Sequence, residues 1–448
     1  MSTNSASFNS GYIMAISFVS ALGGYLFGFD FAVISGALPF LKNEFLLSAA
    51  GEGFLTGSLA LGCIVGCMIA GSMAEKYGRR PALMLAALIF AVSSLGMAFS
   101  TGLSVFICMR FAAGIGVGMA SMLSPMYIAE ISPASVRGRN VAINQLTIVT
   151  GILITNLVNY SLSDNGVNAW RWMFGLGAVP SVLFFVGVLW LPESPRWLMK
   201  VNRQADAAKV LGKIGNSAYA GGVLEDIETS LKGVLQTSWR MLFHSSVLPA
   251  VVVGVGLAVF QQLCGINIVF NYTSRIFASV GADLDRQLLE TVAIGLVNLV
   301  FTLIAMWQVD RLGRRPLMLA GSIGLSVLYL LLAFALKEQL SPAFVSAFVL
   351  LAIAMYATSL APVTWVLISE IFPNRVRGLA SSVAIIALWA AYFILVFTFP
   401  ILAERLGTYG PFYLYAGICL LGFFFVKAKV KETKGRTLEQ LEQVMTGH

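Results

Sequence analysis

Two charged residues stand in thoroughly apolar surroundings. Asp30 lies among Gly, Phe, Ala, Val and Ile in the stretch Gly23–Ser35, and Arg110 interrupts the stretch Leu103–Met126. A charge in the middle of a bilayer costs roughly 2.5–3.5 kcal/mol on insertion scales, so it is kept for a partner or a role. One reading is a fixed ion pair that orders helix packing. The other is proton chemistry: Arg110 holds Asp30 ionised, and withdrawing the cation lets the acid take up a proton. Neutral amides also fall inside apolar stretches: Asn144, Gln145, Asn156, Gln261, Gln262, Asn267, Asn271 and Asn298. An amide donates and accepts without carrying charge. Such groups can bind a polar solute or act as glue between helices.

Other chemistries find no residues to work with. The sequence has no evident nucleophile beside a base, and its histidines are only His244 and His448. Cys63 and Cys67 share a helix face like half a metal site, but no second half exists. The five cysteines (Cys63, Cys67, Cys108, Cys264, Cys419) read as small packing residues within apolar segments. The glycines around Gly114 lie inside an apolar run and cannot form a phosphate loop. Neither an enzyme, nor a metal site, nor a cofactor is expected.

The elements that must hold these side chains follow from composition. Of 448 residues 58% are hydrophobic and 11% charged, against about 25% charged in soluble domains. The apolar residues fall into runs of about 20, enough to cross about 30 Å of hydrocarbon. Twelve spans are expected near 11–37, 53–73, 81–99, 103–129, 139–161, 170–191, 247–279, 287–309, 316–336, 343–370, 379–402 and 409–428. Of the 29 Lys and Arg residues, only Lys42, Arg171, Arg275, Arg286, Lys337 and Arg405 fall on the side opposite the termini. That bias puts both termini in the cytoplasm of a multi-pass cell-membrane protein. The net charge of +8 is therefore topology rather than a nucleic-acid surface, and the partner is the lipid bilayer. Residues 1–10 carry no positive charge, so no cleavable signal is expected. Asp30 lies about seven residues from the far end of the first span and Arg110 about six into the fourth. Both then sit roughly 10 Å below one boundary, where they can meet.

The chain also repeats. Tyr77-Gly78-Arg79-Arg80-Pro81 recurs as Leu312-Gly313-Arg314-Arg315-Pro316. Glu130-Ile131-Ser132-Pro133 with Val136-Arg137-Gly138 recurs as Glu370-Ile371-Phe372-Pro373 with Val376-Arg377-Gly378. Glu193-Ser194 is echoed more weakly by Glu432-Thr433, with Arg196 and Arg436 following. One order on one membrane side means two six-helix halves related by a parallel pseudo-two-fold repeat. That arrangement places a substrate between the halves and works by rocking. The expected organisation is a first half over 1–191, a cytoplasmic helical linker over 192–246, a second half over 247–428 and a tail over 429–448. Within the linker, Gln204–Ile214 and Val223–Leu235 read as helices.

Four further motifs resemble those of the sugar porters of the major facilitator superfamily, over essentially the whole chain. They are Gly23-Gly24-Tyr25-Leu26-Phe27-Gly28-Phe29-Asp30, Pro192-Glu193-Ser194-Pro195-Arg196-Trp197-Leu198, Gln261-Gln262-Leu263-Cys264-Gly265-Ile266-Asn267 and Asp310-Arg311-Leu312-Gly313-Arg314-Arg315. The resemblance implies transport of a monosaccharide, hexose or pentose, by alternating access. It puts Gln145, Gln261, Gln262, Asn267, Asn298, Trp365 and Trp389 at sugar-contacting positions, with Phe27 and Tyr272 nearby. Gly265 is expected to interrupt the seventh helix so that Gln261, Gln262 and Asn267 face one pocket, and Pro362 to kink the helix bearing Trp365. Proton symporters of the family resemble this chain in carrying Asp at position 30, where the animal uniporters carry Asn. A related symporter has a second membrane carboxylate where this chain has Gly177. Leu388 and Tyr392 replace expected amides, and Asn271 replaces an expected Tyr.

At the cytoplasmic helix ends, Arg79, Glu130, Arg137, Glu193, Arg314, Glu370 and Arg377 are expected to form a gate network that assembles on closing. The expected function is sugar–proton symport by a monomer. A facilitative uniporter is the first alternative and a non-transporting sugar sensor the second.

Overall fold

The computed structural model describes residues 7–232, 239–245, 247–373 and 376–434. Among these residues, twelve helical segments are long and apolar enough to cross a membrane. The first half comprises α1 (Ser10–Glu44), α2 (Ala49–Lys76), α3 (Arg79–Ala98), α4 (Leu103–Ile131), α5 (Arg137–Leu162), α6 (Ala169–Gly175) and α7 (Ala178–Trp190). The connecting segment holds α8 (Pro195–Lys200), α9 (Gln204–Ile214) and α10 (Ser217–Lys232). The second half begins with α11 (Leu248–Leu263), α12 (Ile266–Asn271), α13 (Thr273–Ala278) and α14 (Leu284–Leu312). It continues with α15 (Arg314–Lys337), α16 (Pro342–Thr358), α17 (Leu360–Ile371), α18 (Arg377–Leu406) and α19 (Gly410–Lys429).

Local chemistry sets the ends and breaks. Asn9, Ser48, Ser194 and Asp283 each accept a backbone N–H of the first turn of α1, α2, α8 and α14, the bond an N-cap supplies. Proline denies its own N–H and crowds the carbonyl four residues back. Accordingly the sixth span breaks at Leu176–Gly177 ahead of Pro180, and the tenth breaks after Thr358 ahead of Pro362. Gly265 takes φ 92° and interrupts the seventh span, a left-handed conformation that glycine adopts freely. Close approach needs glycine elsewhere: a Cβ at Gly62 would fall on the Phe111 carbonyl oxygen, and one at Gly114 on that of Leu59. Those two positions lock α2 against α4.

Two boundaries differ from expectation by more than four residues. α1 continues to Glu44 rather than ending near 37, because the turn after it forms only at Phe45. α10 starts at Ser217 rather than 223, since Asn216 Oδ1 receives the Tyr219 N–H and begins the helix earlier. The end of that expected helix, 233–235, lies outside the described residues, as do Arg436 and His448. α9 spans Gln204–Ile214 as read from the sequence.

The connecting helices have a small core of Trp197, Leu198 and Ala207 and are fastened to the first half. The Trp197 indole donates to the Glu75 carbonyl at 2.9 Å. Ahead of α1, Phe8 pairs with Gly215, and Asn9 N–H donates to the Ile214 carbonyl at 2.7 Å. The halves meet along α2 with α18 and α5 with α14. Many of the named contacts lie toward the face opposite the termini. There Gly53 abuts the Phe397 backbone, and Asn156 Nδ2 donates to the Thr291 carbonyl at 2.7 Å.

Candidate functional site

Asp30 on α1 and Arg110 on α4 meet at 3.5 Å, both fully buried. Neither the carboxylate oxygens nor the guanidinium nitrogens make a hydrogen bond among the described residues. The Phe174 ring lies 5.8 Å from the guanidinium. At an effective dielectric constant near 20, attraction over such a distance is of order 4 kcal/mol. Removing each ion from water costs several kcal/mol. The pair is held by charge, with the Phe174 ring beside it, and its attraction does not exceed the cost of burying both ions. Gly177 faces the Phe29 ring and the Ser94 hydroxyl so closely that no larger side chain fits without displacement.

The amides join into a chain around the break at Gly265. Tyr392 O–H donates to Asn271 Oδ1 at 3.1 Å, and Asn271 Nδ2 donates to the Asn267 carbonyl at 2.6 Å. Asn267 Nδ2 donates to Gln262 Oε1 at 2.5 Å, and Gln262 Nε2 to Gln261 Oε1 at 2.8 Å. Gln261 Nε2 then donates to the Tyr356 hydroxyl at 3.0 Å. All six side chains are buried. The broken helix thus brings Gln261, Gln262 and Asn267 onto one line, which an unbroken helix would have spread around its circumference. The amides in the chain carry donors and acceptors of the kind that hydroxyl groups bond.

Rings close the same region from both halves. Phe27 and Phe31 on α1 face Trp389 and Tyr392 on α18, with centroid distances of 5.8 Å for Phe27–Trp389 and 5.1 Å for Phe31–Tyr392. Asn298 is buried on α14 and Gln145 half-buried on α5. Two expected residues stand apart. Trp365 is 43% exposed on α17 and outside the ring group of Trp389. The Tyr272 hydroxyl donates to the Val396 carbonyl at 2.9 Å, which pins α12 to α18. Sequence reading missed Tyr356, since a tyrosine in an apolar run gives no positional signal.

The charged loops have the same wiring twice. Glu193 accepts the N–H groups of Arg79 and Arg80, and Glu432 accepts those of Arg314 and Arg315. Arg79 binds Glu130 at 2.7 Å and Arg314 lies 3.5 Å from Glu370. Gly78 and Gly313, at φ 100° and 90°, make the two turns possible. Burial pushes the Glu193 carboxyl above its ordinary value, against three backbone N–H donors. For Glu432 burial also pushes upward, but four backbone N–H donors outweigh it and hold the carboxyl below the usual range. Arg137 reaches the Ser132 carbonyl and Arg377 that of Phe372. Every bond named in these loops joins groups of the same half.

The chain matches the family described as "Sugar (and other) transporter" over residues 16–445. It is 38% identical to the D-xylose-proton symporter of Escherichia coli (strain K12), covering 97% of this chain and 96% of that one. It is 37% identical to the arabinose-proton symporter of Bacillus subtilis (strain 168), over 97% and 95% of the two chains. Its structure resembles a partially occluded inward open conformation of the xylose transporter XylE from E. coli. The TM-score is 0.86 at 36% identity, over 96% of this chain and 100% of that one.

Proposed function

Because the chain belongs to the sugar transporter family, we propose that it carries a monosaccharide, a hexose or a pentose, across the membrane together with a proton. The observation that carries the coupling is the buried Asp30–Arg110 contact, which no hydrogen bond among the described residues holds in place. The amide chain from Gln261 to Asn271 and the rings of Phe27 and Trp389 bind the sugar, with Gln145, Asn298, Trp365 and Tyr272 completing the pocket in other conformations. An arriving sugar replaces amide–amide bonds, shifts α12 against α1, and loosens Arg110 from Asp30 so that the acid protonates. Relatives named for xylose and arabinose transport support the substrate class.

The charge bias supports cytoplasmic termini in the cell membrane, and one copy of the chain holds both halves, so it works as a monomer. The halves extend over 1–191 and 247–428, the linker over 192–246 and the tail from 429. The paired loops of Arg79, Glu130, Glu193 and Arg137, and of Arg314, Glu370 and Arg377, form the cytoplasmic gate. In the present conformation each loop is stapled within its own half, and closing brings the two together. A facilitative uniporter is the second reading. It draws on Gly177, which stands where a related symporter has an extra carboxylate and where any side chain would have to displace the Phe29 ring and the Ser94 hydroxyl.

The test is uptake of glucose, xylose and galactose into proteoliposomes with and without an inward proton gradient. Accumulation that requires the gradient is the expected result. Equilibration alone would make Asp30 and Arg110 a structural pair.

A further inference from the structure

Two of the cations on the face opposite the termini converge on one carboxylate. Glu52, in the first turn of α2, is 1% exposed. Arg275 Nη1 on α13 meets its Oε2 at 2.7 Å, and Lys42 Nζ, near the end of α1, lies 3.6 Å from the same oxygen. Arg275 Nη2 also donates to the Pro400 carbonyl of α18 at 3.4 Å. Lys42 and Glu52 belong to the first half, Arg275 and Pro400 to the second. The charges are therefore knotted across the line along which the halves must separate. One residue away, the Ser274 hydroxyl donates to the Ser35 carbonyl of α1 at 2.8 Å, a second bond over the same line.

A surface ion pair adds little to stability, but a buried carboxylate that loses its cation is strongly penalised. We propose that Glu52 and Arg275 form an outer clasp, a charge lock between the halves that holds the far face shut and must break at each outward opening. Its strength sets how often the empty carrier faces outward. The clasp also lies close in sequence to the amide chain, because Arg275 follows Asn271 by four residues, across the short break at Tyr272 between α12 and α13. A sugar that shifts Asn267 and Asn271 moves the cation that Glu52 holds.

The test reads opening without using sugar. Ser35 is 1% exposed, and Cys63, Cys67, Cys264 and Cys419 are buried while Cys108 is exposed. In the full chain, Cys108→Ser removes the exposed thiol and Ser35→Cys supplies a reporter inside the closed face. Its labelling in whole cells by a membrane-impermeant maleimide measures outward opening, with Cys108→Ser alone as the blank. Glu52→Gln and Arg275→Gln are each expected to raise the labelling rate about tenfold, and the double variant no further than either single. The double variant leaves neither of the two charges unpaired, so it decides the question even where a single variant folds poorly. Labelling of the double variant at the parent rate would overturn the clasp. So would single effects that multiply in the double, which would mean that the residues act separately.

Discussion

Asp30 is the side chain to which the proposal assigns the coupling. Its 3.5 Å contact with Arg110 is backed by no side-chain hydrogen bond among the described residues, so the pair can part without dismantling a hydrogen-bond network. Asp30→Asn is expected to abolish uphill accumulation while sugar exchange remains measurable, since the amide chain does not include it. Concentrative uptake that survives in that variant would remove the proton role. Gln262 sits in the middle of the amide chain, accepting from Asn267 and donating to Gln261. Gln262→Ala is expected to weaken sugar binding about tenfold, the scale of one or two net hydrogen bonds, with folded yield unchanged. Titration calorimetry on the purified variant measures it. At this scale the sequence was legible where a residue was chemically out of place, as an acid, a base or an amide is among apolar neighbours. Glu52 was not legible, because an acid in the first turn of a helix is what the helix dipole favours anyway. Its partner Arg275 lies 223 positions away, a distance that no local pattern spans.

Among the elements, the seventh span shows how one glycine brings separate amides together. The positive φ at Gly265 turns α12 out of line with α11, and that misalignment lets Gln262 and Asn267 bond. The break itself was legible, as was the one after Thr358, because glycine and proline act through covalent geometry. The overrun of α1 to Glu44 was not, since only the following turn determines where it stops. Helix contacts give a prediction with two signs. Gly62→Ala drives a methyl into the Phe111 carbonyl and is expected to cost roughly 1–3 kcal/mol. Gly138→Ala meets nothing within 4 Å and is expected to be neutral, or to stabilise by about 0.4–1 kcal/mol. Thermal unfolding in detergent compares the two. The twin loops give a third sign. Glu193 is raised by burial and Glu432 is lowered by its four N–H donors. On acidification Glu193 therefore takes its proton first. Glu432 keeps its charge longest, and its stabilising contribution, present above its unfolded value, is lost only as pH falls through its lowered one. Infrared titration of Glu193→Gln and Glu432→Gln against the parent is expected to place the Glu193 carboxyl band at the higher pH.

The whole molecule is two similar bodies in contact toward one face. Twelve spans and a parallel repeat were legible because membrane length and charge bias act on the entire chain. The conformation was not, since the same sequence must be able to close at either end. Gly138 and Gly378 occupy equivalent places after Arg137 and Arg377, each with open space around it. Spin labels on cysteines at these two positions are expected to report a shorter distance when the Glu52→Gln/Arg275→Gln pair is introduced, as the termini faces swing together. A distance that stays fixed would contradict rocking. The strap ahead of α1 bears on how such a molecule is made. Ser7 is anchored by Asn216, 209 residues later in the chain. At a synthesis rate of about 5–20 residues per second, the start of the protein waits on the order of 10–40 seconds for its anchor to leave the ribosome. The first helix is therefore made well before the junction of α9 and α10 that fixes its near end, and the strap closes only after six spans have been synthesised.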